Sequence, residues 1–174
     1  MMKGVAAAAA AWMALGASGA QAATTLAVAK DAPCLYRAEA QGLMTALAPG
    51  LLGSLRDRCA ENLPATAYLR VNGDALIERY RAPALASLPL AAQAMGKITG
   101  AKVDEATFAA VADALVPPML AKEIKPRDCG KIDRAAALLD PLPPENFTGL
   151  IVLILELGSK KDDKGPFPLC NMAN

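Results

Sequence analysis

Residues 140–160 read DPLPPENFTGLIVLILELGSK. At their centre is an unbroken apolar run, Leu150 to Leu155, entered through Pro143 and Pro144 and left through Gly158. Such a run fits a membrane span, a central strand or a core helix. A span needs about 20 apolar residues, more than lie between Glu145 and Leu157. The β-branched Ile151, Val152 and Ile154 suit a strand. The flanks favour a helix. Pro143 and Pro144 are tolerated in a first turn, where a missing N–H leaves no carbonyl unpaired. Glu145 complements the positive end of the helix dipole, Gly158 suits the C′ position, and Lys160-Lys161 offset the negative end. A helix that is apolar nearly all round is expected to be wrapped by its neighbours. The stretch therefore predicts a central core helix over 145–157, and with it an all-α fold.

The rest of the chain agrees. Tyr36, Ala40, Leu43, Met44 and Leu47 share one helical face, which Pro49-Gly50 is expected to end. A second helix over 51–60 gathers Leu51, Leu52, Leu55 and Cys59 and stops before Pro64. So short a link predicts an antiparallel helical hairpin. Over 69–81, Asn72-Gly73 is a hairpin-turn signal, but its flanks do not alternate. A helix capped by Asn72 or Asp74, with Leu76, Ile77 and Tyr80 inward, fits better. Residues 82–102, rich in Ala, Pro and Gly, read as short helical pieces and loop. Asp104 is the expected N-cap of the next helix, with Val103 and Phe108 at staple spacing. Phe108, Val111, Leu115 and Val116 form its stripe, and Pro117-Pro118 should end or kink it. A further helix opens at Asp128, turns Ile132, Ala135, Ala136 and Leu139 inward and stops at Asp140-Pro141. The expectation is a compact, disulfide-tied bundle of about five or six helices following an N-terminal signal peptide.

That leader is residues 1–22. Lys3 precedes an Ala-rich apolar segment, and Ala20-Gln21-Ala22 has the small-x-small form of a signal peptidase site. Residues 23–174 then form a single helical domain with a polar C-terminal loop and tail, long enough to bury a core. The whole chain has 18 basic and 17 acidic residues; Lys3 is the leader's one charge, so the mature chain is balanced at zero. A neutral chain offers no electrostatic footprint for nucleic acid or an anionic membrane. The expected location is periplasmic or secreted.

Cys34, Cys59, Cys129 and Cys170 all lie in the mature region, and an even count in an exported chain reads as two disulfides. A zinc site of four thiolates is less apt, because its ligands usually come in close pairs. The expected helical hairpin would bring Cys59 back to the level of Cys34, which predicts Cys34–Cys59 and leaves Cys129–Cys170. The chain has no histidine, so the commonest general base and metal ligand is missing. The mature serines Ser54, Ser87 and Ser159 open no S-x-x-K, and there is no Gly-rich phosphate loop. No catalytic, cofactor-binding or metal-binding residues are assigned.

Several groups remain to be weighed. Asp133, Asp140, Glu145 and Glu156 could supply a glycan-cleaving pair, but each has a local structural explanation. Lys122, Lys125, Arg127, Lys131 and Arg134 form a basic series interrupted by Glu123, Asp128 and Asp133, and read as a solvated stretch. Asn146-Phe147-Thr148 fits the N-glycosylation pattern, at the head of an apolar helix that would resist modification. Tyr68, Arg70, Glu78, Arg79, Tyr80 and Arg81 bring together residue types common at interface hot spots and form a candidate partner patch. The expected function is that of a non-enzymatic exported protein acting by protein binding, as an inhibitor, immunity factor, chaperone or accessory subunit, without a cofactor. One alternative is a carrier holding a small apolar ligand in an inter-helix cavity lined by residues such as Leu115, Ile132 and Ile151. Another is a carboxylate-dependent cell-wall glycan hydrolase.

Overall fold

The computed structural model describes residues 33–162, 169 and 170. The expected signal peptide, residues 1–22, lies outside the described residues, as does most of the polar tail. Among the described residues there are five α-helices: α1 Arg37–Cys59, α2 Tyr68–Thr99, α3 Glu105–Glu123, α4 Cys129–Leu139 and α5 Pro144–Asp162. Short 3-10 turns, Ala60–Asn62 and Pro126–Asp128, follow α1 and precede α4. No strand forms among these residues; the one extended contact is a parallel bridge between Leu35 and Leu169. No helix among them is long and apolar enough to cross a membrane.

Two expected breaks are absent. Pro49-Gly50 does not end the first helix, because α1 runs unbroken for 23 residues with Pro49 inside it. Residues 82–102 are not pieces and loop either. They continue α2, whose 32 residues pass through Pro83 and Pro89 and span about 48 Å at 1.5 Å per residue. Pro117 and Pro118 likewise lie within α3. An interior proline removes one backbone hydrogen bond and crowds the carbonyl four residues back, at about 3 kcal/mol in an unsupported helix. Here the helices are supported. Ala48 and Leu52 on either side of Pro49 are buried, as are Ala84 and Ala91 beside Pro83 and Pro89.

The caps explain where the helices start. Glu39 reaches back to accept a hydrogen bond from the Tyr36 N–H, 2.9 Å, at the head of α1. Asp104 accepts from the Thr107 N–H at 2.7 Å, and Val103 packs with the buried Phe108 in one cluster, the expected cap and staple. The cap of α2 is neither Asn72 nor Asp74. That helix opens at Tyr68, and its Leu69 N–H donates to the Asp133 carboxylate of α4 at 2.8 Å. Gly100 ends α2 with φ 69°, a left-handed conformation that favours glycine.

α1 and α2 pack antiparallel along most of their lengths. Gly42 lies under Leu90, and Arg56 pairs with Asp74 and lies over Gly73. A Cβ on Gly42 would sit 2.6 Å from the Leu90 Cβ, so the two helices approach closely only because Gly42 has none. The core divides into two clusters. One joins the second half of α1, the first half of α2, the end of α3 and α4, around Leu52, Leu76, Tyr80 and Ile124. The other joins the first half of α1, the second half of α2, the start of α3 and α5, around Leu43, Ile98, Phe108 and Val152. Glu39, only 5 % exposed, holds the second cluster's edge by an ion pair with Lys97 at 2.6 Å.

Each cluster has a disulfide, but the pairing is Cys59–Cys129 and Cys34–Cys170, not Cys34–Cys59 and Cys129–Cys170. The correction follows from Pro49. A continuous α1 puts Cys59 roughly 30 Å from the start of the helix at 1.5 Å per residue. Cys59 meets the N-terminus of α4 instead, with a Cα–Cα distance of 5.4 Å. Cys34 meets the end of the described chain, Cα–Cα 4.8 Å, beside a backbone hydrogen bond from Cys170 N–H to Leu35 C=O.

Candidate partner-binding surface

The expected Tyr/Arg patch does not assemble as one exposed surface. Tyr80 is 1 % exposed and stacks edge-on against Phe147, with ring centroids 5.8 Å apart. Tyr68 is half-buried, and its hydroxyl is turned out of solvent. Helical geometry is the reason: Leu69, Leu76 and Tyr80 share the inner face of α2, so the aromatic rings go inward while the charges between them go outward. The arginines are already engaged. Arg79 pairs with Asp140, Arg81 with Glu78 at 2.8 Å, and Arg70 donates to the Leu63 carbonyl at 3.1 Å.

The hydroxyls of Tyr68 and Tyr80 make no hydrogen bond within normal distance limits to the described residues. The Tyr68 hydroxyl nonetheless lies near enough to Asp140 for each to move the other's ionisation. Burial first, and the Asp140 carboxylate after it, push the Tyr68 phenol up to about 12. The Tyr68 hydroxyl, with Arg79 beside it, holds the Asp140 carboxyl below the usual carboxylate range. Burial also raises the Tyr80 phenol.

The four candidate carboxylates, Asp133 and Asp140 on α4 and its C-cap and Glu145 and Glu156 on α5, have separate partners or face water. Asp133 caps α2, Asp140 meets Arg79, Glu156 accepts a two-pronged contact from Arg37 at 2.7 and 2.9 Å, and Glu145 stands exposed in the first turn of α5. A glycan hydrolase needs a carboxyl that keeps its proton, and the shift of Asp140 runs the other way. The basic series Lys122, Lys125, Arg127, Lys131 and Arg134 is exposed throughout, as a solvated stretch should be. An open groove of about 430 Å³ lies between the end of α1 and Pro117 of α3. Ser54, Asp57, Arg58, Glu61 and Asn62 line it with Pro117. Ile132 packs against the first core cluster, whereas Leu115 and Ile151 are half-buried on separate helices.

The opening stretch departs most from expectation. α5 extends from Pro144 to Asp162, so Gly158 lies inside it rather than ending it. It is apolar nearly all round, but among the described residues its neighbours bury one side and leave the other about half exposed. Thr148 and Val152 are 0 % and 1 % exposed and face the bundle, chiefly α1. Leu150, Leu153, Ile154 and Leu157 are 46 %, 45 %, 58 % and 63 % exposed. Spaced i, i+3, i+4 and i+7, they form one continuous outward stripe. The helix is apolar on both faces, and a fully buried polar side chain lies inward. The inward face carries Thr148, whose hydroxyl meets Thr45 at 3.0 Å and the Pro144 carbonyl at 3.1 Å, while the outward face is aliphatic. Gln41 adds a bond from its side-chain amide to the Glu145 carbonyl at 3.1 Å.

These four residues were not singled out in the sequence. Their spacing is visible there, but hydropathy does not say which side of an all-apolar helix is covered. The polar Thr148 and Glu156, set eight residues apart on the side facing α1, were the available signal. No protein family matches this chain, and neither a curated protein nor a solved structure matches it significantly.

Proposed function

We propose that this is an exported, non-enzymatic protein that acts by binding another protein, and that the outward stripe of α5 is its contact surface. One observation carries this: four large aliphatic side chains stand about half exposed on one face, while a threonine on the opposite face is fully buried. Single exposed apolar residues are ordinary, but a contiguous apolar stripe marks an interaction surface. The stripe's spacing is that of helix-in-groove recognition, in which residues at i, i+3, i+4 and i+7 anchor an amphipathic helix to an apolar partner. Two disulfides fit an oxidising compartment, and the leader sequence fits export into one.

The test replaces Leu153 and Ile154 together by glutamate. Both already face water, so stability should stay within about 0.5 kcal/mol of the parent. A photoreactive residue at Leu157, carried in the native exporting cell, should give a discrete adduct with a second protein. The Leu153→Glu/Ile154→Glu chain should lose that adduct. An adduct that persists, or a double variant that unfolds, would show that the stripe serves the fold rather than a partner.

A further inference from the structure

The two disulfides sit in unlike surroundings. Cys59 and Cys129 are 0 % and 1 % exposed inside the first core cluster. Cys34 is exposed and Cys170 half-buried, at the open edge of the second. Thiol–disulfide exchange requires an attacking thiolate to reach a sulfur, so access separates the two bridges before any other property does. Cys34 precedes α1, and Cys170 follows the end of α5 by eight residues. The described contacts of 169–170 include the disulfide, the bond from Cys170 N–H to Leu35 C=O at 2.9 Å, and Leu169 packed against the cluster that holds Leu35, Phe108 and Val152. Leu35 itself is 0 % exposed.

We infer that Cys34–Cys170 is a reducible latch: a dithiol opens it while Cys59–Cys129 stays closed, and its opening frees Leu169 from the apolar seat at Leu35. In the exchange, one thiolate of the dithiol attacks the Cys34 sulfur. The Cys34–Cys170 bond breaks, and Cys170 leaves as a thiolate that takes a proton. The second thiol of the reductant then attacks the mixed disulfide, releasing Cys34 as a thiol and closing the reductant's own disulfide. Two electrons pass from dithiol to protein. The helices keep their contacts because no helix of the bundle contains Cys34 or Cys170. The seat that opens is at Leu35, at the edge of the second core cluster, so the reduced form offers an apolar surface that the oxidised form hides.

The experiment is graded reduction of the mature protein with dithiothreitol, quenched with a maleimide and mapped by mass spectrometry, with circular dichroism at each step. Cys34 and Cys170 should be labelled at least about tenfold faster than Cys59 and Cys129, with helicity retained. Hydrogen exchange at the Cys170 amide should rise in that singly reduced form, while amides of α1 and α2 around Leu52 and Leu76 stay protected. Equal labelling of all four cysteines, helix loss on reduction of the first bridge, or an unchanged Cys170 amide would each overturn the inference. A Cys34→Ser/Cys170→Ser chain supplies the permanently open state, and it too should keep its helices.

Discussion

Tyr68 and Tyr80 carry phenolic hydroxyls into places where a phenolate would be poorly solvated, and both are raised above the free value for that reason first. The sign of the consequence follows from linkage. A phenol whose folded-state pKa is raised holds its proton longer folded than unfolded. Its contribution is whole below pH 10, the ordinary tyrosine value, and drains away as pH climbs toward about 12, the value for Tyr68. Stability should therefore fall over that window, and tyrosinate absorbance should lag behind that of free tyrosine until the chain unfolds. Tyr68→Phe should flatten the alkaline loss. A titration in which every tyrosine ionises reversibly as in a free peptide would contradict the burial of these two rings. The same rings show why the residue types of a hot spot do not locate one. Tyr and Arg mark a surface only when helical phase turns them the same way, and on α2 it does not.

At the scale of elements, the start of α2 depends on a residue from another helix. Asp133 accepts from the Leu69 N–H at 2.8 Å, so Asp133→Ala should cost about 1 kcal/mol, as loss of an N-cap does. The denaturant midpoint should drop with an unchanged slope. An unaltered midpoint would mean that the first turn of α2 is held by packing alone. Local signals of this kind were legible in the sequence where donor and acceptor are near neighbours, as at Asp104 and Thr107. They were illegible where, as here, 64 residues separate them. The prolines misled for a related reason. Their local cost is fixed by covalent chemistry, but whether the helix breaks depends on what packs around it. Pro49 sits between the buried Ala48 and Leu52, and the packing prevails. α5 is a helix that starts at the proline pair, as its flanking residues dictate. Its coverage depends on neighbours that no periodicity encodes.

Across the whole molecule, the disulfide error follows from that proline error. A break at Pro49 would fold Cys59 back on Cys34, while a continuous α1 sends it to α4. The two bridges tie different parts of the bundle, and they should differ in what their loss does. Cys59–Cys129 closes a 70-residue separation inside the first cluster. Replacing both cysteines by alanine should cost about 4 kcal/mol by the chain-entropy estimate and lower the thermal midpoint substantially. Retention of the parent midpoint would show that the helices around Leu52 and Tyr80 need no such tie. The disulfide partners could not be read from spacing alone, because four cysteines allow three pairings and only the three-dimensional path chooses among them.

The 4.8 Å between the Cα atoms of Cys34 and Cys170 has a geometric consequence of its own. The disulfide joins the residue that precedes α1 to one that follows α5, so the covalent path through the five helices is a closed ring with its seam at Cys34–Cys170. Such a ring can be seated within a loop of a host protein by parting that loop by only about the width of a turn, the arrangement that domain insertion favours. A host loop joined directly at 34 and 170 would therefore have its two stems held side by side by the disulfide.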